Sequence, residues 1–383
     1  MRMNSRRFFL LLLCLLTPII VFAKPDENLS STAQMYILGD LSSGIIISEK
    51  NASRTIAPGP LTKLMTLYVI FSALESGDIR LNDKIKISKI ASNAPGLRMF
   101  LSEGDRVKVE DLIKAIVIYG ANDAIMALIE EVSGAEAEFV ATMNNKAKSI
   151  GLTTSRFDDA IGQAVNNRST TVSDLYQLSA AIITDFPQYY PYFKLQKHEW
   201  QSITQYSPNT LLDRDPHNDG LILGKIHGIG LLGSISSDRN GRRILVVLGG
   251  VKPDRTFSAE AQSLINHGFE ASETILLFKS NTPLAQVAIA QGIDEIISIG
   301  SFKDIFVTIP RDTKESLKVH VESIQPLIAP IEYGDIVAKL IVRLGEGTIL
   351  TTDLIALKEV QQAGILARGW KGLKSFVLQL IGS

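Results

Sequence analysis

A chain of 383 residues, 45% hydrophobic and 21% charged with a formal net charge of −1, has the balance of ordinary globular domains, one large and one smaller. It lacks the basic excess of a nucleic-acid-binding face, so no nucleic acid is expected as a partner. Its one cysteine, Cys14, lies near the N-terminus, so the remainder folds without a disulfide.

Arg2, Arg6 and Arg7 precede the apolar run 8–16, and Val21-Phe22-Ala23 offers a cleavage site before Lys24. The run is too short for a membrane span, so residues 1–23 read as a signal peptide for export. Residues 5–10 also fit a twin-arginine signal, although the short charged region and leucine-rich run favour ordinary secretion. Leucine rather than a small residue precedes Cys14, which argues against lipid attachment there.

Two strands are expected at 33–38 and 44–48. A helix then runs from Pro60 to about Ser76 and stops at Gly77; its apolar residues cover nearly every face, which predicts a central buried helix. Helical patterns follow at 109–118 and 124–132, interrupted at Tyr119-Gly120-Ala121-Asn122, and again at 136–150 and 171–184. The period then changes. Runs at 229–237 and 242–248 flank Asp238-Arg239-Asn240-Gly241, a strong hairpin signal, and a helix at 259–269 closes the domain. This order predicts an α+β domain over residues 24–271, a helical cluster on an antiparallel sheet.

From 272 to 360 short runs at 285–290, 295–299, 305–309, 318–322 and 336–344 are punctuated by Gly and Pro, which predicts a small all-β domain. In the segment 361–383, Leu366, Trp370, Leu373, Phe376, Val377 and Leu380 share one helical face, while Arg368, Lys371 and Lys374 share the other. That pattern suits an interfacial helix on an anionic membrane surface; the plainer reading is a helix packed on its own domain.

Two phosphate-loop spellings fail on context. Gly228-Ile229-Gly230-Leu231-Leu232-Gly233 leads into a strand rather than a helix, and 220–226 is one residue short of a P-loop. The five histidines show no ligand spacing, so neither a metal nor a cofactor is expected.

Three stretches carry the informative pattern: Pro58-Gly59-Pro60-Leu61-Thr62-Lys63-Leu64-Met65-Thr66, Gly120-Ala121-Asn122-Asp123-Ala124 and Asp219-Gly220-Leu221-Ile222-Leu223-Gly224. In order and approximate spacing the chain resembles the serine D-alanyl-D-alanine carboxypeptidases, the low-molecular-mass penicillin-binding proteins. Met99-Phe100-Leu101, Met143-Asn144, Gly151-Leu152 and Val246-Val247-Leu248-Gly249 extend the likeness. The resemblance implies a β-lactamase-like transpeptidase domain, a C-terminal β domain and an amphipathic anchor. It also implies a periplasmic protein on the outer face of the bacterial inner membrane, with peptidoglycan stem peptides as substrate.

The chemistry departs from that pattern. In the family's Ser-x-x-Lys motif the serine attacks the peptide carbonyl while lysine, on the same helix face, takes its proton. Lys63 is present, but the serine place falls on Pro60, which has neither a nucleophilic atom nor the backbone N–H that serves as one oxyanion donor. In the Ser-x-Asn motif Asn122 is present and Gly120 takes the serine place. The Lys-Thr-Gly motif, which holds the substrate carboxylate from a strand, reads Ile222-Leu223-Gly224, and two alkyl groups leave a carboxylate without a partner. No serine is followed by lysine at the third position, Ser207-Pro208-Asn209 spells Ser-x-Asn only outside the motif order, and Thr62 and Thr66 do not face Lys63. The expectation is a pseudoenzyme in which Lys63 and Asn122 still line the cleft, and which binds peptidoglycan peptides or cell-wall proteins. The competing expectation is an active carboxypeptidase with an unrecognised nucleophile.

Overall fold

The structure is a computed structural model and describes residues 29, 31–163, 169–252, 256–324 and 326–364. The expected signal peptide lies outside the described residues. So does the expected anchor, with Arg368, Trp370, Lys371, Leu373, Lys374, Phe376 and Val377. The chain divides into two compact units, one over Phe22–Thr274 and one that begins its main part at Ile275. Among the described residues no helix is long and apolar enough to cross a membrane.

The first unit opens with the antiparallel pair β1 (Met35–Asp40) and β2 (Ile45–Lys50). A 3₁₀ turn over Gly59–Leu61 leads into α1 (Thr62–Ser76). The short strands β3 (Lys84–Lys86) and β4 (Arg106–Lys108) pair around α2 (Lys89–Ser92). Helices α3 (Val109–Tyr119), α4 (Asn122–Ser133), α5 (Glu136–Ser149) and α6 (Val172–Asp185) complete the helical cluster. A hairpin of β5 (Lys197–Trp200) and β6 (Ile203–Tyr206) precedes β7 (Asn218–Ile226), β8 (Gly230–Arg239), β9 (Arg242–Gly249) and α7 (Phe257–Ala271). The main sheet has the order β2-β1-β9-β8-β7, with every neighbouring pair antiparallel. Strand β7 is therefore an edge.

Alternation along the central strands builds two cores. In β9, Leu245 and Val247 face the helical cluster, while Ile244, Val246 and Leu248 pack with α7 residues such as Leu264 and Ile265. Helix α1 is buried at every residue from Thr62 to Phe71, so it has no solvent face to pattern, and Gly77 in the left-handed region ends it. The β8–β9 turn places Asn240 and Gly241 at φ 56° and 81°, the paired positive angles that a tight hairpin of this twist demands.

The second unit is all-β. Among its described residues it comprises most of β10 (Ser272–Phe278), which begins before the boundary, then β11 (Ala285–Ala288), β12 (Ile296–Gly300), β13 (Ile305–Pro310), β14 (Leu317–Ser323), β15 (Ile336–Leu344) and β16 (Gly347–Ala356). Its main sheet runs β11-β12-β16-β15-β14, and β10 pairs with β13. Strands β3, β4, β5, β6, β7, β10 and β16 escape the periodicity reading. Strands β5 and β6, Lys-His-Glu-Trp and Ile-Thr-Gln-Tyr, are short and polar, and β16 is diluted by glycine and threonine.

A groove lined by the three motif stretches

Pro60 sits in the 3₁₀ turn that opens α1, where the Thr62 N–H bonds back to the carbonyls of Gly59 and Pro60. Proline suits this turn because its missing N–H has no intrahelical partner there. One residue into α1, Lys63 is only 5% exposed, and its Nζ donates to the Gly120 carbonyl at 2.6 Å. Burial lowers the Lys63 amine to about 8, against the opposing pull of Asp159. Gly120 is the left-handed residue ending α3, so Lys63 caps the negative end of that helix dipole. A Cβ at position 120 would stand 2.9 Å from Lys63 Nζ, and its φ of +73° also disfavours any side chain there.

The second stretch organises a loop. Asn122, 3% exposed, donates its backbone N–H to Leu97 O and its side-chain Nδ2 to Pro95 O, both at 2.6 Å. Its Oδ1 has no hydrogen-bond partner among the described residues. Next to it, buried Asp123 accepts the Met99 N–H at 3.0 Å and the Leu101 N–H at 3.1 Å. The Met99-Phe100-Leu101 stretch is thus held by a carboxylate at the start of α4.

The third stretch lies on β7. Between Gly220 and Leu223 the register against β8 slips, because Gly220 pairs with Ile235 and Leu223 with Gly233. This bulge breaks the alternation, so Leu221 and Ile222 both pack toward the helical cluster. Leu223 borders the groove, but it packs with the α7-side core and approaches Gly233, whose added Cβ would meet Leu223 Cδ1 at 2.9 Å. Gly224 lies directly against Pro60: a Cβ there would stand 2.6 Å from Pro60 Cβ and 2.8 Å from Cγ. At the start of the strand, buried Asp219 takes both oxygens to Arg243 Nη1 at 2.9 Å and accepts from Tyr190 and Ser236.

Below the groove, the loop 152–163 carries Asp159. Asn144 Nδ2 donates to Phe157 O at 2.8 Å, and the Phe157 N–H returns to Asn144 Oδ1 at 3.0 Å. Thr66 Oγ1 donates to Ala160 O at 2.6 Å, so this hydroxyl is committed to structure. Asp159 Oδ1 itself accepts the N–H groups of Ile161 and Gly162.

Together these elements leave a groove of about 80 Å³. The structure brings Pro60, Lys63, Gly120, Ile222 and Leu223 to its lining, with Asn122 and Gly224 held against its walls by the contacts above. It also brings in Ser207, Pro208 and Asn209, which lie outside the motif order in sequence yet border the groove. Their signal lay in the unrecognised hairpin β5–β6, which delivers them from outside the motif order. That hairpin is tied to α3 by a bond between Tyr119 Oη and His198 Nδ1 at 3.2 Å. Ser207 Oγ accepts the Asn209 N–H at 3.2 Å, while the hydrogen bond of Lys63 goes to Gly120. Leu97 is a further lining residue that motif spelling does not reveal, and the Asp219–Arg243 bond fixes the start of β7.

A helical cluster whose central helix starts at the edge strand of an antiparallel sheet, with three motif stretches meeting there, defines the penicillin-binding-protein type of transpeptidase domain. The chain belongs to the D-alanyl-D-alanine carboxypeptidase family of S11 peptidases: residues 22–252 match that family, and residues 273–362 match the C-terminal domain of penicillin-binding protein 5. It is 32% identical over 365 residues to the D-alanyl-D-alanine carboxypeptidase DacC of Escherichia coli strain K12, covering 93% of this chain and 91% of the relative. To DacA of Haemophilus influenzae it is 31% identical, covering 89% of this chain and 88% of the relative. Among solved structures, penicillin-binding protein 5 from Haemophilus influenzae superposes with a TM-score of 0.82 at 28% identity, covering 89% of this chain and all of that one.

Proposed function

We propose that this protein is a non-hydrolytic member of its family, exported to the periplasm and held at the outer face of the inner membrane, where it binds peptidoglycan peptides or cell-wall proteins. The carrying observation is the contact of Pro60 with Gly224 while Lys63 is bonded to the Gly120 carbonyl. The place of a nucleophile is filled by a proline ring, so Lys63, which donates to the Gly120 carbonyl, has no hydroxyl at that position to deprotonate. Ile222, where the motif has an ammonium, offers nothing to a carboxylate. Loss of the nucleophile alone costs on the order of a millionfold in kcat in a serine protease.

Incubation of the purified protein with labelled penicillin tests the reading. No adduct surviving denaturation is expected, and a covalent adduct would falsify it. The anchor is tested separately: truncation after Ala363 removes the segment bearing Trp370, Phe376 and Lys371 and should release the protein from membranes. A truncated chain that stays membrane-bound rules out that segment as the attachment.

One observation favours a second reading, an active enzyme. Ser207 and Lys63 border the same groove, so a hydroxyl is present near an amine whose burial favours the free base. In that case the penicillin adduct maps to Ser207 and disappears in Ser207→Ala.

A further inference from the structure

We infer that the groove beside β7 binds an uncharged, extended segment of a partner protein, seating one branched or aromatic apolar side chain against Ile222. The inference rests on the non-hydrolytic reading and names the partner class for it.

Charge is the first argument. Among the described lining residues Lys63 alone carries charge, and its ammonium is buried and bonded to Gly120 O. A chain terminus seated there would lose hydration without meeting a free cation, whereas an internal segment brings no charge to desolvate. The groove is complementary to a neutral occupant.

Size and backbone supply the second argument. The cavity of about 80 Å³ is well below the roughly 300 Å³ at the lower end of small-molecule pockets and suits a single side chain. Strand β7 is the edge of the main sheet, so a segment lying along it can add main-chain hydrogen bonds while pockets choose its side chains. The bulge turns Ile222 toward this seat.

The rim continues the same chemistry. Leu97 and Phe100, on a loop, and Tyr206, at the end of β6, are 59%, 50% and 67% exposed, unusual for large apolar and aromatic residues. Gln205 Nε2 donates to Arg98 O at 3.0 Å, which fastens the two rim segments to each other. Leu97 lines the groove itself, and Tyr206 precedes the lining residue Ser207. Leu97, Phe100 and Tyr206 therefore extend the apolar part of the floor at a strand edge, with the Arg98 guanidinium seated 5.7 Å over the Phe100 ring.

The test uses the full chain in lipid nanodiscs with labelled Ile, Leu and Val methyls. It is titrated with an end-blocked peptide of alternating threonine and isoleucine, with the same peptide carrying aspartate at its central isoleucine, and with acetyl-lysyl-D-alanyl-D-alanine. The apolar peptide should bind with Kd near 0.1 mM, to order of magnitude, and shift the Ile222 and Leu97 methyls. The aspartate peptide should bind at least about tenfold more weakly. Tyr206→Ala, at an exposed position, should weaken binding about fivefold while leaving thermal unfolding unchanged. Equal affinity for the apolar and aspartate peptides, no shift at about 1 mM, or tighter binding of the D-alanyl-D-alanine peptide overturns the inference. A covalent penicillin adduct removes the non-hydrolytic reading itself; failed peptide binding without an adduct removes only the partner class.

Discussion

The ring of Pro60 lies so close to the Cα of Gly224 that a side chain on either residue sets what the other can be: a Cβ at 224 would approach Pro60 Cβ to 2.6 Å. Real Cβ contacts of that length do not persist, and neither partner is the end of a flexible side chain. Gly224→Ala should therefore destabilise the first unit by about 1–3 kcal/mol through overpacking. In a Pro60→Gly background the same change should cost clearly less. Denaturant unfolding of the two single variants and the double variant measures this coupling; additive costs would place the strain elsewhere.

Lys63 gives a pH signature. Its amine is lowered from 10.5 to about 8, so the folded state sheds this proton at lower pH than the unfolded chain. Between those values the unfolded state binds more protons, and stability must rise with pH. Relative to Lys63→Met, the wild type should gain on the order of 3 kcal/mol from pH 8 to 10.5, with no such gain below 8. Guanidinium unfolding at neutral and alkaline pH checks the sign. A flat difference between the two proteins would mean that the amine is solvated.

Restoring chemistry should take more than the nucleophile. Pro60→Ser alone leaves alkyl groups at Ile222 and Leu223, where the family's motif carries an ammonium and a hydroxyl, so labelled penicillin should give no adduct above background. The combined variant Pro60→Ser, Gly120→Ser, Ile222→Lys and Leu223→Thr should recover measurable acylation. Its rate should be limited because position 120 is left-handed at φ +73° and crowded by Lys63. No acylation at all in a folded combined variant would contradict the correspondence of the three stretches.

Buried Asp219, at the start of β7, pairs with the partly buried Arg243 of β9, both carboxylate oxygens lying 2.9 Å from Arg243 Nη1. Asp219→Ala should cost about 2–3 kcal/mol, because Tyr190, Ser236 and the partly buried guanidinium lose a shared carboxylate acceptor while Arg243 keeps Asp238. Replacing both residues with apolar side chains of similar volume should cost much less. The denaturation midpoints of the two variants decide it, and equal losses would show that the pair is not the source.

Several features follow from local chemistry and were legible in the sequence: the all-round apolar α1, its stop at Gly77, the Asn240-Gly241 turn and the alternation in β9. What escaped depends on contacts distant in the chain. Lys63 and Gly120 are 57 residues apart, and nothing local in either stretch indicates that one donates to the other. The orientation of Leu223 turns on a one-residue bulge, which periodicity cannot locate in an apolar run. Ser207-Pro208-Asn209 reaches the groove on a hairpin too polar to read as strand. The loss of motif side chains was visible as spelling; the way Pro60 and Gly224 fill the space became visible only in three dimensions.

The loop carrying Asp159 is stitched to α5 by Asn144 and to α1 by Thr66. Its carboxylate, and hence its field at Lys63, is anchored to the helical side of the domain, while Ile222 and Gly224 belong to the sheet. The two walls of the groove thus answer to different halves of the fold. Substitutions on β7 can therefore change the width of the seat while the anchoring of the Asp159 loop stays intact, so steric access and electrostatics at this site are separable properties.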